Sequence, residues 1–199
     1  MDDDISAVIL AAGLSKRMGT PKMLLPWGGN TILGQVVLTY ARAGVKDVVI
    51  VTGGARQAVE GEVLKLSRDF PVRSIYNPQH EAGEMLSSLH CGLKAVGGGA
   101  VAVLIGLGDQ PQLSLEALGR VISAYAESGA RLVVPSCNMR RGHPWLVGRP
   151  LWQEILALSA PQTMRQFLSN HPGDIHYVET DATILKDMDT LEDYQREKP

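Results

Sequence analysis

The chain has 199 residues, 45% hydrophobic and 20% charged, which suits one domain with a real core and room for a small second lobe. Its net charge of −2 lacks the basic footprint of a general nucleic-acid binder, and its local basic patches, Arg17 with Lys22 and Arg140 with Arg141, suit small acidic metabolites better than a polymer. Cys91 and Cys137 form neither a disulfide framework nor a metal spacing, the start MDDDIS is no secretory signal, and the longest apolar run, AVAVLIGLG, is too short to span a bilayer, so a cytoplasmic protein with reduced thiols is expected, with neither nucleic acid nor membrane as partner.

Apolar, β-branched runs at 5–11, 47–52, 72–76, 100–107 and 132–135 are continuous, as in strands covered on both faces. Between them, residues 31–43, 55–67 and 85–96 have helix length and amphipathic spacing. Ser114 reads as the cap of a helix reaching to about Glu127 and stopped by Gly129. This alternation predicts a layered α/β domain with right-handed crossovers. Past Pro135 the pattern changes: SCNMRRGHPWLVG is irregular, with a short returning strand at 145–147. Helical stretches at 150–159 and 162–170 and strands at 174–179 and 182–186 follow, and Thr190 with Asp193 marks a capping box for the last helix.

In open α/β sheets, ligands collect where strands end. Behind the first strand, LAAGLSKRMGTPK offers the small residues Ala11, Ala12 and Gly13, whose backbone N–H groups can line up on phosphate, with Arg17 and Lys22 as cations. The order is neither a Walker loop nor a dinucleotide fingerprint, and a plain small-residue turn fits it equally. In IGLGDQP, Asp109 follows a buried strand and can either hold Mg²⁺ or cap a turn. In NPQHEAGEMLSSLHCG, Asn77 ends a strand, and Ser87 and Ser88 can read a base or ribose or simply cap a helix. In KDMDTLEDY, Asp187 and Asp189 lie two apart, on one face of an extended chain, as metal ligands or as a solvated acidic edge. His143, between Gly142 and Pro144, is placed for display. His80, His90, His171 and His176 lack metal spacing, and Trp27, Trp145 and Trp152 read as packing residues.

Together, LAAGLSKRMGTPK, GEMLSSLHCGL, GDQP, GHP and DMDTLEDY, in this order from Ile5 to Tyr194, resemble the molybdopterin nucleotidyltransferase family, nearest its molybdenum cofactor cytidylyltransferase branch. Leu191 departs from the proline usual in the family's DTPED ending. The resemblance implies the nucleotide-diphospho-sugar transferase fold, a three-layer sandwich with a mostly parallel, Rossmann-like sheet flanked by helices. It implies a single domain over 1–199, with a nucleotide-binding half at 1–112 and an acceptor-binding half at 113–199. The reaction it implies passes a nucleoside monophosphate from an NTP to an acceptor phosphate, releasing pyrophosphate. Arg17, Lys22 and Asp109 would be catalytic. Leu10, Ala11, Ala12, Gly13, Arg17, Lys22, Gly53, Asn77, Ser87 and Ser88 would bind nucleotide, and Gly142, His143 and Pro144 the acceptor. Asp109 with Asp189 or Asp187 would hold Mg²⁺. Ala-Ala-Gly and KMLLPW match the cytidylyl rather than the guanylyl branch, which implies CTP as donor, molybdenum cofactor as acceptor and a molybdenum hydroxylase as client. The competing expectations are a cytidylyl- or uridylyltransferase of sugar or polyol phosphates, and a chaperone that holds molybdenum cofactor without turnover.

Overall fold

A computed structural model describes residues 4–13, 18–81 and 84–199, beginning with the expected first strand, β1 (Ile5–Ala11). A 3-10 turn at Lys22–Leu24 leads into a two-residue ribbon, β2 (Pro26–Trp27) and β3 (Asn30–Thr31). Thr31 then caps α1 (Ile32–Arg42) by accepting from the Gly34 N–H. Three strand–helix units follow: β4 (Val48–Thr52) with α2 (Arg56–Leu66), β5 (Val72–Tyr76) with α3 (Glu84–Ala95), and β6 (Ala102–Leu107) with α4 (Leu115–Ser128). Ser114 caps α4 through the Ala117 N–H, and Gly129 ends it at φ 64°, the left-handed backbone that glycine adopts without strain. Then come β7 (Leu132–Cys137), the two-residue β8 (Arg140–Arg141) and β9 (Trp145–Gly148), followed by α5 (Trp152–Ala157), α6 (Met164–Asn170), β10 (Ile175–Glu179) and α7 (Leu191–Glu197). The capping box of Thr190 and Asp193 is present, and Leu191 opens α7 half-exposed.

The main sheet runs β10-β7-β9-β6-β1-β4-β5, with β8 on β7. Pairing is parallel except at β8, antiparallel on β7, and around β9, which lies antiparallel between β6 and β7 and sets Trp145 opposite Ile105. The period of two sorts each central strand into two apolar layers. Ile9, Ile50 and Leu104 face the side covered by α1, α2 and α4; Val8, Val49 and Val103 face α3, α5 and α6. The result is the three-layer sandwich expected. Trp27, Ile32, Met188 and Tyr194 form a third, smaller cluster, and the Tyr194 hydroxyl donates to the Pro26 carbonyl at 2.8 Å. Through it the chain's last acidic segment returns to the strand exits.

One expected strand is absent: residues 182–185 form a 3-10 turn, Ala182–Leu185. The Asp181 carboxylate accepts from the Thr183 N–H at 2.8 Å and also from the Thr183 hydroxyl, which turns the chain before it can extend. Of that apolar run only Ile184 is fully buried, and so short a run has no period to separate strand from helix.

Candidate active site

Strands β1, β4, β5 and β6 are mutually parallel, so their exits share one edge of the sheet. There the Gly108 N–H donates to the Leu10 carbonyl and the Gly54 N–H to the Ala12 carbonyl. Gly53 permits this approach: a Cβ on it would strike the Ala12 carbonyl oxygen and the His80 side chain. Ala11 and Ala12 are buried, Gly13 is exposed, and Leu10 packs its side chain toward α3. Arg17, expected as the second cation, lies outside the described residues.

Asn77 is 2% exposed and its side chain is fully engaged. Its amide donates to Ser87 Oγ at 2.9 Å and Ser88 Oγ at 3.0 Å, and its Oδ1 accepts from the Gln79 N–H at 2.9 Å. These three residues therefore tie the exit of β5 to the start of α3. Asn77 and Ser87 also border a cleft of ≈ 730 Å³ beside His90, Cys91 and Lys94.

Lys22 rises from the 3-10 turn, whose next residue, Met23, is buried beside Ala11 in the core. Its Nζ lies 2.5 Å from Asp109 Oδ2, 3.0 Å from the Met188 carbonyl and 3.7 Å from Asp189 Oδ1. The Met188 N–H in turn donates to the Asp109 carbonyl at 3.0 Å. Met188 points into the third cluster at 1% exposure, so the carboxylates on either side of it turn outward, as the two-residue period predicts. They meet different partners: Asp189 sits near Lys22, while Asp187 accepts from Gln110 Nε2 at 2.8 Å. Partial removal from water, with Asp109 and Asp189 nearby, holds the Asp187 carboxyl above the usual range, against the pull of Gln110 and Lys22. Among the described residues no group of three His, Cys, Asp or Glu side chains could hold a metal. Two carboxylates already sharing one cation nevertheless match what Mg²⁺ takes from protein when phosphates supply its other ligands.

The GHP loop is pinned from both sides. The Gly142 N–H donates to the Pro135 carbonyl, and the His143 N–H to the Ile184 carbonyl at 3.1 Å. A Cβ on Gly142 would collide with Ile184. His143 is not displayed as expected. It is partly buried, stacked on Trp145 with centroids 4.4 Å apart, and its Nδ1 lies 3.3 Å from the Ile105 carbonyl. Burial lowers its pKa, opposed by the Ile105 hydrogen bond and the Asp109 charge. Gly142, His143 and Asp187 line a common cleft of ≈ 710 Å³ with Gln110, Arg140 and Arg141; Pro144 is buried behind it.

The remaining histidines make packing contacts: His80 with the Asn77 carbonyl, His90 with that of Ile155, and His171 with Phe167 and Glu154. His176 lies in the edge strand β10. Gln110 has no role in the sequence reading, yet it is 3% exposed and bridges Asp187 to the Ile184 carbonyl at 3.3 Å. Its place inside GDQP, between Asp109 and Pro111, is the signal that marks it.

The sequence matches the family described as MobA-like NTP transferase domain over residues 7–175. It is 32% identical over 191 residues to molybdenum cofactor cytidylyltransferase of Escherichia coli strain K12, covering 96% of this chain and 93% of that one. It is 30% identical over 200 residues to nicotine blue oxidoreductase of Paenarthrobacter nicotinovorans, covering 96% and 95%. Rv0371c from Mycobacterium tuberculosis H37Rv has a similar structure, with a TM-score of 0.83, 28% identity and 98% of each chain covered. Its complex with manganese gives a TM-score of 0.76 at 27% identity over 97% of each chain.

Proposed function

The chain belongs to the MobA-like NTP transferase family, and from that premise we propose that it transfers CMP from CTP to the phosphate of molybdenum cofactor, releasing pyrophosphate. The observation that carries this reading is the Lys22 ammonium held at the strand edge by Asp109, Asp189 and the Met188 carbonyl. Nucleotidyl transfer needs positioning and charge neutralisation more than a protein nucleophile. An oxygen of the acceptor phosphate attacks the α-phosphorus, the bond from that phosphorus to the bridging oxygen breaks, and its electron pair leaves on pyrophosphate. Lys22 would stabilise the departing charge and the exposed Gly13 backbone would face the triphosphate, with Arg17, on the strength of its place in the sequence motif, as a second cation. Asp109 with Asp189 would hold Mg²⁺, and Asp187, oriented by Gln110, stands beside them. Bound there, the metal supplies charge neutralisation on the phosphates.

No thiol chemistry is called for. Cys91 donates toward the Tyr76 carbonyl, and burial pushes its pKa up, against the nearby Lys94. Residues 1–112 take the nucleotide and 113–199 shape the acceptor side, where GHP meets Asp187. The choice of CTP follows Ala11-Ala12-Gly13 and the cytidylyltransferase relative. Transfer of the product to a molybdenum hydroxylase completes the scheme.

Pyrophosphate release, measured with each NTP and purified molybdenum cofactor, tests the reading. Rapid release with CTP is the expected result. Release with a sugar or polyol phosphate instead moves the enzyme to that branch, and tight cofactor binding without turnover makes it a carrier. Dye reduction by a reduced nicotinamide donor would place it with its oxidoreductase relative. With Mg²⁺ and no acceptor, CTP should raise the melting temperature more than GTP or ATP, because a ligand of the folded state stabilises it. Stronger stabilisation by GTP overturns the choice of donor.

A further inference from the structure

Three arginines, Arg140 and Arg141 from β8 and Arg165 from α6, line the ≈ 710 Å³ cleft that GHP borders. Among the described residues none of them makes an ion pair, and only Arg141 has a partner for its guanidinium, the Tyr177 ring at 5.3 Å. Elsewhere Arg56, Arg73, Arg120, Arg131 and Arg196 each pair with a carboxylate. Like charges on one cleft repel, which favours an anionic ligand among them. Among the described residues the only acid lining the cleft is Asp187, and Gln110 already holds it.

The cleft is also too large for a phosphate alone; its volume is in the range that takes a small organic ligand whole. Its wall includes Leu86 and the Trp145 ring stacked with His143, a flat surface for a planar body. Guanidinium groups suit planar oxyanions and other anions that accept two hydrogen bonds at once.

We infer that the acceptor is a flat, polyanionic molecule, and that Arg165, with Arg140 and Arg141, binds an anionic group of it other than the phosphate that receives the nucleotide. The inference rests on the nucleotidyltransferase reading above and adds Arg165 as a binding residue for acceptor choice. Removing one charged hydrogen-bond donor should weaken acceptor binding by about 10- to 100-fold.

The test compares wild type, Arg165→Ala, Arg165→Lys and the Arg140→Ala/Arg141→Ala pair. Two quantities are read with purified molybdenum cofactor: the steady-state KM under saturating CTP and Mg²⁺, and the equilibrium Kd from quenching of tryptophan fluorescence. Acceptor KM and Kd should rise about tenfold or more in Arg165→Ala, with kcat and the KM for CTP nearly unchanged, and Arg165→Lys should recover part of the loss. An unchanged Kd in Arg165→Ala overturns the inference even if wild type turns over normally. Wild type that binds the cofactor through Arg165 yet releases no pyrophosphate overturns the transferase reading alone. Wild type that does not bind the cofactor overturns both.

Discussion

At the exits of β4 and β5 the polar side chains are matched to one another, Asn77 giving its amide to Ser87 and Ser88, whereas across the site Arg140, Arg141 and Arg165 line a cleft without a carboxylate partner among the described residues. The first region is a finished scaffold. The surface proposed for nucleotide is backbone, at Ala12, Gly13 and Gly53, where small residues let chain segments approach. The second region leaves charge unsatisfied, and its shape depends on contacts distant in sequence, such as His143 to Ile184 and Gln110 to Asp187. Between them stands Lys22, held by groups from the turn after β6 and from the segment before α7. A triphosphate needs a rigid backbone cradle and a few fixed charges; a varied acceptor needs side chains that complete their contacts only when it arrives.

The largest effect should come from breaking the link between the regions. Lys22→Ala should keep the fold, because Lys22 lies at a strand exit, yet lower turnover by ~10²-fold or more, as expected when a transition-state charge stabiliser is lost. Near-normal turnover at saturating CTP and Mg²⁺ would remove Lys22 from the mechanism. The same variant sharpens the metal assignment. The Lys22 ammonium lies against Asp109 and near Asp189, so deleting it should tighten Mn²⁺ binding by the nucleotide-free protein, read by electron paramagnetic resonance. Unchanged or weaker binding would show that lysine and metal do not share those carboxylates.

A smaller effect should separate the two acids flanking Met188. Asp189 is the one beside Lys22, and Asp187 is engaged by Gln110. Asp189→Asn should raise the Mg²⁺ needed for half-maximal rate by about tenfold, with Asp187→Asn milder, since a group acting through a neighbour or a bound water tunes affinity less directly. The reverse order would exchange their roles.

The scaffold region was the more legible in sequence, for a physical reason. Each central strand is covered on both faces, so β1, β4 and β6 appear as unbroken apolar runs, and Ser114 and Gly129 mark the ends of α4 by local chemistry alone. The segment 182–185 misled because one buried residue, Ile184, carries no period, and Asp181 decides the turn through its own side chain. Lys22, Asp109 and the Asp187/Asp189 pair stood out because charges at strand exits are rare in a buried pattern. The Met188 carbonyl could not stand out, since any residue supplies one. Nor could Arg165: on its helix it reads as a solvated charge, and only the fold, which sets α6 and β8 on one cleft, gives it company.

The smallest effect concerns His143, whose place in sequence suggests display and whose place in the fold is against Trp145. Burial lowers its pKa, so the folded state prefers the neutral ring. The stability this contributes is present above the unfolded imidazole value of about 6.5 and is lost as pH falls from there through the lowered folded value. His171 works the other way. The Phe167 carbonyl, with Glu154, raises its pKa, so its contribution is present below about 6.5 and is lost as pH rises through the folded value. A single acid titration therefore mixes two opposite slopes, and the difference between wild type and His143→Gln isolates one of them, because glutamine keeps an N–H donor but does not titrate. As pH falls from about 7 to below 6.5, the Tm of wild type should fall relative to that of the variant. The KM for acceptor should rise in the variant while CTP binding stays constant. Parallel melting curves would mean that the ring is hydrated in solution, free of the Ile105 carbonyl and of Trp145, and the flat wall assigned to the acceptor would then have to be built from Trp145 alone.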